Sequence, residues 1–218
     1  MDRLQIIGRS SSHFTRVPLI FAHELRVAFE FVPILDMTPI DSAVYAGNPA
    51  LKMPTMRRDG SLVFGAENIC RALAALAAPP PRIVWPEHLE GLVARNAQEL
   101  VWHGMAAQVQ LVFGISVSKL PSDNLYFTKA RAGFEGALRW LNDNLADVLG
   151  TLPASRDISL LEVTLFCLIE HLRFRSTVPT APYPSLLAFA QSFAARPAAQ
   201  STLYRFDTPP REQAGSER

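Results

Sequence analysis

Ser12 stands four residues before Arg16 and closes a run of three serines at the start of an apolar helical segment. A serine there accepts a hydrogen bond from an early helix N–H, as an ordinary helix cap does. Its hydroxyl proton is also placed to meet an anion beside the positive end of the helix. Both readings are open for Ser11 and Ser12. His13 could offer a second proton donor, although an exposed loop histidine is the plainer expectation. A second candidate is Lys52-Met53-Pro54, inside Asn48-Pro49-Ala50-Leu51-Lys52-Met53-Pro54-Thr55. Proline cannot donate to a strand ladder, so at a strand start it belongs on an edge or in a special turn. The X-Pro bond is also where a cis peptide is inexpensive. The backbone of Met53 could then pair with a peptide, as a strand adds to a sheet edge. Lys52 is either a solvated loop lysine or a cation for a carboxylate. A third candidate is the start of the helix at Gly65-Ala66-Glu67, where the Ala66 N–H can serve as an anion site.

Other chemistries lack their residues. No Cys-x-x-C occurs, and the two cysteines, Cys70 and Cys167, fall in helical patterns and read as packed thiols. Disulfide exchange through a protein dithiol is therefore disfavoured. With no Cys/His cluster of metal spacing, no metal site is expected. The 218 residues carry 21 basic and 20 acidic side chains without a run of like charge, so neither a nucleic-acid partner nor a membrane-binding patch is expected. The opening residues show no cleavable signal pattern. No apolar stretch reads as long enough to span a bilayer; the longest, around Leu160 to Ile169, is broken by Glu162 and Thr164. Two unpaired thiols suit a reducing compartment, so a cytoplasmic location is expected.

The elements that must position these residues follow from periodicity. Leu4 to Ile7 reads as a strand, Phe14 to Leu25 as a helix with a slight kink at Pro18, and Val27 to Val32 as a second strand. A polar loop over 36–47 leads to the Met-Pro strand, a turn at Asp59-Gly60, a further short strand and a helix from Glu67 to Ala77. Ala78-Pro79-Pro80-Pro81-Arg82 is a stiff linker by composition. Beyond it the chain reads helical: Glu87 to Ile115 with a bend, Ala130 to Leu149, a buried helix after Ser159, and Ser185 to Ala195. Ser159-Leu160-Leu161-Glu162 is a capping box in which Glu162 would reach back to the cap, and Ile158 and Val163 are placed for a hydrophobic staple. Val163 to Leu172 is apolar almost all round, which predicts burial on every side.

Four pieces in order make the chain resemble the glutathione transferase superfamily over roughly Leu4 to Tyr204. They are Ser12-His13-Phe14-Thr15-Arg16 with Glu24-Leu25; N-P-A-L-K-M-P with the D-G turn and Ile69-Cys70-Arg71-Ala72-Leu73; the capped helix at Ser159; and Tyr183-Pro184 with Arg196-Pro197-Ala198. The resemblance implies an α/β thioredoxin-like N-terminal domain over 1–77, a linker over 78–86 and an all-α domain over 87–207. The tail over 208–218 is expected to be disordered by composition.

The resemblance also implies a chemistry. Glutathione would be the co-substrate, its cysteinyl part held by the backbone at Met53 and Pro54, with Lys52 facing its glycine carboxylate and Ala66 and Glu67 near its γ-glutamyl end. Ser12, at the theta-like spacing, or Ser11, at the zeta-like spacing, would donate to the sulfur and favour thiolate over thiol. The zeta-like S-S-C reads S-S-H here. A small electrophile would be held near the helical domain, with Trp102, His103 and Met105 as candidates, although such residues at helical spacing more often form core. A homodimer built on the long helices and the Glu67 helix, and a role in detoxification, belong to the same expectation. One departure stands out. The family's usual Glu-Ser or Gln-Ser pair falls on Gly65 and Ala66, where loss of a hydrogen bond to a charged group costs about 1.5–3 kcal/mol. The alternative is therefore a non-catalytic binding or regulatory protein on the same fold.

Overall fold

The segment Gln5–Gly8 forms β1, which pairs in parallel with β2 (Glu30–Pro33) and antiparallel with β3 (Thr55–Arg58); β3 turns at Asp59-Gly60 into β4 (Ser61–Phe64). The sheet order is β2-β1-β3-β4 in this computed structural model, which describes residues 3–208. The tail expected to be disordered lies, apart from Thr208, outside the described residues. Between β1 and β2 runs α1 (His13–Glu24), and after β4 comes α2 (Ala66–Ala74). This is the thioredoxin-like order expected. Central position explains why β1 is buried on both faces: Ile6 joins the main core, while Ile7 packs with Ile34, Tyr45 and Ala46 in a smaller cluster. Pro18 lies inside α1 and is buried.

Local differences from the expected pattern have physical causes. β2 begins three residues late, because Arg26 turns to φ 54° and the Val27 N–H still bonds the Ala22 carbonyl, extending the end of α1. The loop after β2 contains a 3-10 turn over Ser42–Tyr45, capped by the Asp41 carboxylate. Within the expected linker, β5 (Ile83–Val84) pairs in parallel with β6 (Ile158–Ser159).

The helical domain comprises α3 (Leu92–Leu111), which continues as a π-helical turn over Val112–Val117, then α4 (Leu125–Gly150), α5 (Leu160–Arg175), α6 (Pro184–Phe193) and α7 (Pro197–Gln200). The continuous helix Leu92–Val117 has a mean hydropathy of 1.4 over its best window, so by length and composition alone it could cross a membrane, contrary to the sequence expectation. One of its faces, with Ala94, Ala97, Val101 and Met105, is buried in the protein core. As expected, α5 is buried around its circumference, and Phe166, Leu168 and Leu160 have no exposed surface. A fully buried side chain of this size contributes about 1.5–3 kcal/mol. Ser159 caps α5 through a long 3.5 Å bond from the Glu162 N–H. Glu162 does not complete the capping box; its carboxylate instead forms a bidentate pair with Arg156, 2.7 Å at each oxygen.

The two domains share one hydrophobic core running from Ile6 and Ile20 to Phe166 and Leu186. Charged side chains reinforce the seam. Glu24 at the end of α1 accepts two bonds from Arg196, which caps α7. Arg16 is 2% exposed, donates to the Ala199 carbonyl, and lies between the rings of Phe166 and Tyr204 at 4.7 and 4.4 Å.

Candidate functional site

The serine loop leaves the end of β1 through Gly8. A Cβ on Gly8 would lie 2.4 Å from Thr15 Oγ1, so only glycine lets the start of α1 come this close to the strand. Within the loop, the Ser12 N–H donates to the Arg9 carbonyl at 3.1 Å and the Arg9 N–H donates to Thr15 Oγ1 at 3.3 Å. Ser12 is the N-cap of α1, and its Oγ accepts from the Thr15 N–H at 3.3 Å. A hydroxyl has one donor and two acceptor positions. Capping therefore uses a lone pair and leaves the Ser12 proton for another partner. Ser11 is more enclosed, at 3% exposed. The loop is also gripped from the far end of the chain: the Ser10 N–H donates to Asp207 Oδ2 at 2.8 Å.

The second wall is the turn before β3. Asn48 is buried and bridges that turn, donating to the Lys52 carbonyl at 2.9 Å and accepting from the Ala50 N–H at 3.0 Å. The Met53-Pro54 bond is cis, as the sequence suggested, and so is Ala78-Pro79. Pro54 is buried, Met53 half-buried and Lys52 exposed. Sheet register sets Ile7 opposite Thr55 and Thr55 opposite Phe64, which brings the ends of β1 and β4 and the start of β3 together.

The start of α2 is the third wall. Its cap is Gly65, which supplies no side-chain hydrogen bond, so the first-turn N–H groups keep their partial positive charge. The Glu67 side chain does not share this wall as an open anchor. Its carboxylate accepts from Arg71 at 2.7 and 3.0 Å, and Arg71 also pairs with Glu87 and stacks on Trp85. Asn68 is likewise engaged, donating to the Phe64 carbonyl. Ser12, Met53, Pro54 and Ala66 thus gather at one end of the sheet, while Glu67 contributes only its backbone there.

His13 is not the exposed loop residue expected. It is the first residue of α1 and 1% exposed, with Nδ1 2.9 Å from Nδ1 of His171, whose Nε2 lies 3.1 Å from the Ser11 carbonyl. Burial, with Arg175 and Arg16 nearby, lowers His171 to about 3, and burial with His171 lowers His13 well below the ordinary histidine value. Nothing local in the sequence marks His171, because its partner lies 158 residues away. Of the acceptor-site candidates, Met105 is fully buried core, His103 is exposed, and half-buried Trp102 stacks on Phe14 at 6.0 Å. Cys70 and Cys167 are buried and unpaired, and burial pushes the Cys167 thiol up to about 12, which removes it from thiolate chemistry. An open groove of about 320 Å³ lies elsewhere, against Gln5, Ile7, Ile34, Val44 and Arg57.

Comparison with known proteins agrees with this fold. The family model for the glutathione S-transferase N-terminal domain matches residues 11–76. No curated protein matches the chain significantly by sequence. Among solved structures, a glutathione S-transferase from Methylobacterium radiotolerans in complex with glutathione sulfonate is 22% identical, with a TM-score of 0.75 over 97% of this chain and 100% of that one. A glutathione transferase family member from Pseudomonas fluorescens with bound glutathione is 20% identical, with a TM-score of 0.73 over 93% of this chain and 99% of that one. One from Methylobacillus flagellatus with glutathione bound is 18% identical, with a TM-score of 0.72 over 92% and 98%. Residues 11–76 thus match the glutathione S-transferase N-terminal domain family, and the chain as a whole has the glutathione S-transferase fold.

Proposed function

We propose that the protein binds glutathione where the serine loop, the Met53-Pro54 turn and the start of α2 meet, and that Ser12 stabilises the thiolate for attack on a small electrophile. One observation carries this reading: Ser12 Oγ accepts from the Thr15 N–H and keeps its own proton to donate. Ser12 is preferred to Ser11, which is 3% exposed. A hydrogen bond to a charged group contributes about 1.5–3 kcal/mol. That corresponds to roughly one to two pKa units, enough to bring a thiol that ionises near 8.5 into the neutral range. The N-terminus of α1 adds to the same field.

The remaining contacts follow from the three walls. The Met53 backbone pairs with the cysteinyl part as a strand does. Exposed Lys52 is available to the glycine carboxylate, and the uncapped N–H groups at Ala66 and Glu67 to the γ-glutamyl carboxylate. The thiolate forms the new carbon–sulfur bond, and the electrophile gives up its leaving group or takes a proton. Catalysis is then thiolate stabilisation with proximity, and isomerisation or peroxide reduction would use the same sulfur. The glutathione or glutathione sulfonate held by the similar structures supports this ligand class. A theta- or zeta-like serine class, a cytoplasmic location, a detoxifying role and a homodimer complete the reading. Exposed Val109 on α3 and Phe113 and Val117 on the π-helical turn that continues it support the last of these.

A second reading, a repurposed fold without tight glutathione binding, is favoured by one observation. Gly65-Ala66 offers no hydroxyl, and the neighbouring Glu67 carboxylate is engaged by Arg71. Calorimetric titration with glutathione beside a Ser12→Ala variant separates the two. Binding in the micromolar to low-millimolar range, with a thiolate signal lost in the variant, supports the enzyme. Absence of binding supports the repurposed fold.

A further inference from the structure

The thiol chemistry described so far makes no use of the buried histidine pair. His13 opens α1 in the N-terminal domain, and His171 belongs to α5 in the helical domain. A carbonyl can only accept, so His171 Nε2, 3.1 Å from the Ser11 carbonyl, carries a proton. Both rings are neutral, since burial disfavours their charged forms. A neutral imidazole has one N–H, so His171 presents a bare Nδ1, and His13 Nδ1 donates to it across 2.9 Å. The chain of donation therefore runs one way, from His13 to His171 to the Ser11 carbonyl. His13 Nε2 is left bare, buried and without a hydrogen-bond partner.

The end of this chain matters for the serine loop. The Ser11 carbonyl and the Ser12 N–H belong to one rigid peptide plane. His171 holds one edge of that plane, and the Arg9 carbonyl holds the other through the Ser12 N–H at 3.1 Å. With the plane fixed on both edges, the direction of the Ser12 side chain is set, and the Thr15 N–H completes the placement of its oxygen.

We propose that His171, oriented by His13, is a positioning residue for thiol activation: it clamps the Ser11–Ser12 peptide plane and so aims the Ser12 hydroxyl at the sulfur. A residue of the helical domain thereby tunes the chemistry of the N-terminal domain. This rests on the reading of Ser12 as the thiolate's hydrogen-bond donor.

The test follows the thiolate absorbance of bound glutathione against pH in wild type, His171→Asn and His171→Gln, each with Ser12 and with Ser12→Ala. Asparagine keeps an acceptor for His13 but withdraws the donor from the Ser11 carbonyl, whereas glutamine keeps an N–H near the Nε2 position. His171→Asn should raise the pKa of the bound thiol by about one unit, a tenfold loss of thiolate at fixed pH. His171→Gln should restore most of that loss, and His171→Asn should add nothing once Ser12 is alanine. An unchanged thiol pKa in His171→Asn, or an equal shift with and without the Ser12 hydroxyl, overturns the proposal. Should His171→Asn not fold, His13→Leu replaces it. The same rise is expected from loss of the orienting partner, and no rise again overturns the proposal. Wild-type protein that binds no glutathione overturns the thiolate reading and this one together, whereas bound glutathione indifferent to His171 overturns this one alone.

Discussion

The Gly65 N–H donates to the Pro54 carbonyl at 3.2 Å, which hangs the start of α2 from the cis proline turn and makes two walls of the site a single unit. Gly65 reaches this position at φ 87° and ψ 147°, a conformation open to glycine but strained for residues with a Cβ. Space is not the obstacle, since a Cβ there would meet nothing within 4 Å. Gly65→Ala should therefore destabilise the fold by about 1–3 kcal/mol through backbone strain alone. It should weaken glutathione binding as the α2 N-terminus shifts. Denaturant unfolding beside a glutathione titration checks both, and unchanged stability would contradict the strain.

Ser12 has two separable duties. Ser12→Ala removes the cap of α1, which should cost about 1 kcal/mol, and removes the donor to the sulfur, which should raise the bound thiol pKa by about one to two units. Ser12→Gly should lose the donor while losing only a few tenths of a kcal/mol of cap stability. Ser11→Ala should leave the thiol pKa in place. Thiolate absorbance and thermal unfolding on the three variants separate the duties. A shift in Ser11→Ala that is missing in Ser12→Ala would reassign the role.

Gly8 tests the seat of the serine loop. An alanine Cβ would lie 2.4 Å from Thr15 Oγ1 and 2.6 Å from Thr15 Cγ2. Overpacking of this kind costs about 1–3 kcal/mol. Gly8→Ala should lose that much stability and should also raise the bound thiol pKa, because the start of α1 must move. Full stability in urea would contradict the close approach of α1 to β1.

The histidine pair predicts an acid limb. His171 is held at about 3, below its ordinary 6.5, so the unfolded chain binds more protons than the folded one across that interval. Its contribution is complete above about pH 6.5 and is lost as the pH falls toward 3, with a slope of about 1.4 kcal/mol per pH unit for each such histidine. Unfolding free energies measured between about pH 6 and 4 should fall less steeply by that amount in His171→Gln. Equal slopes would show that His171 is not buried neutral.

The order of elements was legible in the sequence because it rests on local signals: proline at a strand start, Asp59-Gly60 at a turn, Ser12 and Ser159 ahead of apolar periodic runs. What escaped was carried by contacts between distant residues. β5 and β6 are two residues each, too short for a period to register, and they pair across 75 positions. His13 is buried against His171, 158 residues away, and Glu162 left the capping box because Arg156 sits beside it. The site followed the same division. The cis Met53-Pro54 bond and the Ser12 cap were readable from their own neighbours, whereas the engagement of Glu67 by an arginine that also binds Glu87 required the fold.

Everything proposed for this sheet end rests on its binding glutathione and ionising it at Ser12. Its most direct test is a calorimetric titration of the full-length protein with reduced glutathione, read together with thiolate absorbance at neutral pH. Saturable binding in the micromolar to low-millimolar range is expected, with a thiolate band that Ser12→Ala abolishes. No binding at about 10 mM, beyond the millimolar scale where association is already only about 4 kcal/mol, would contradict it.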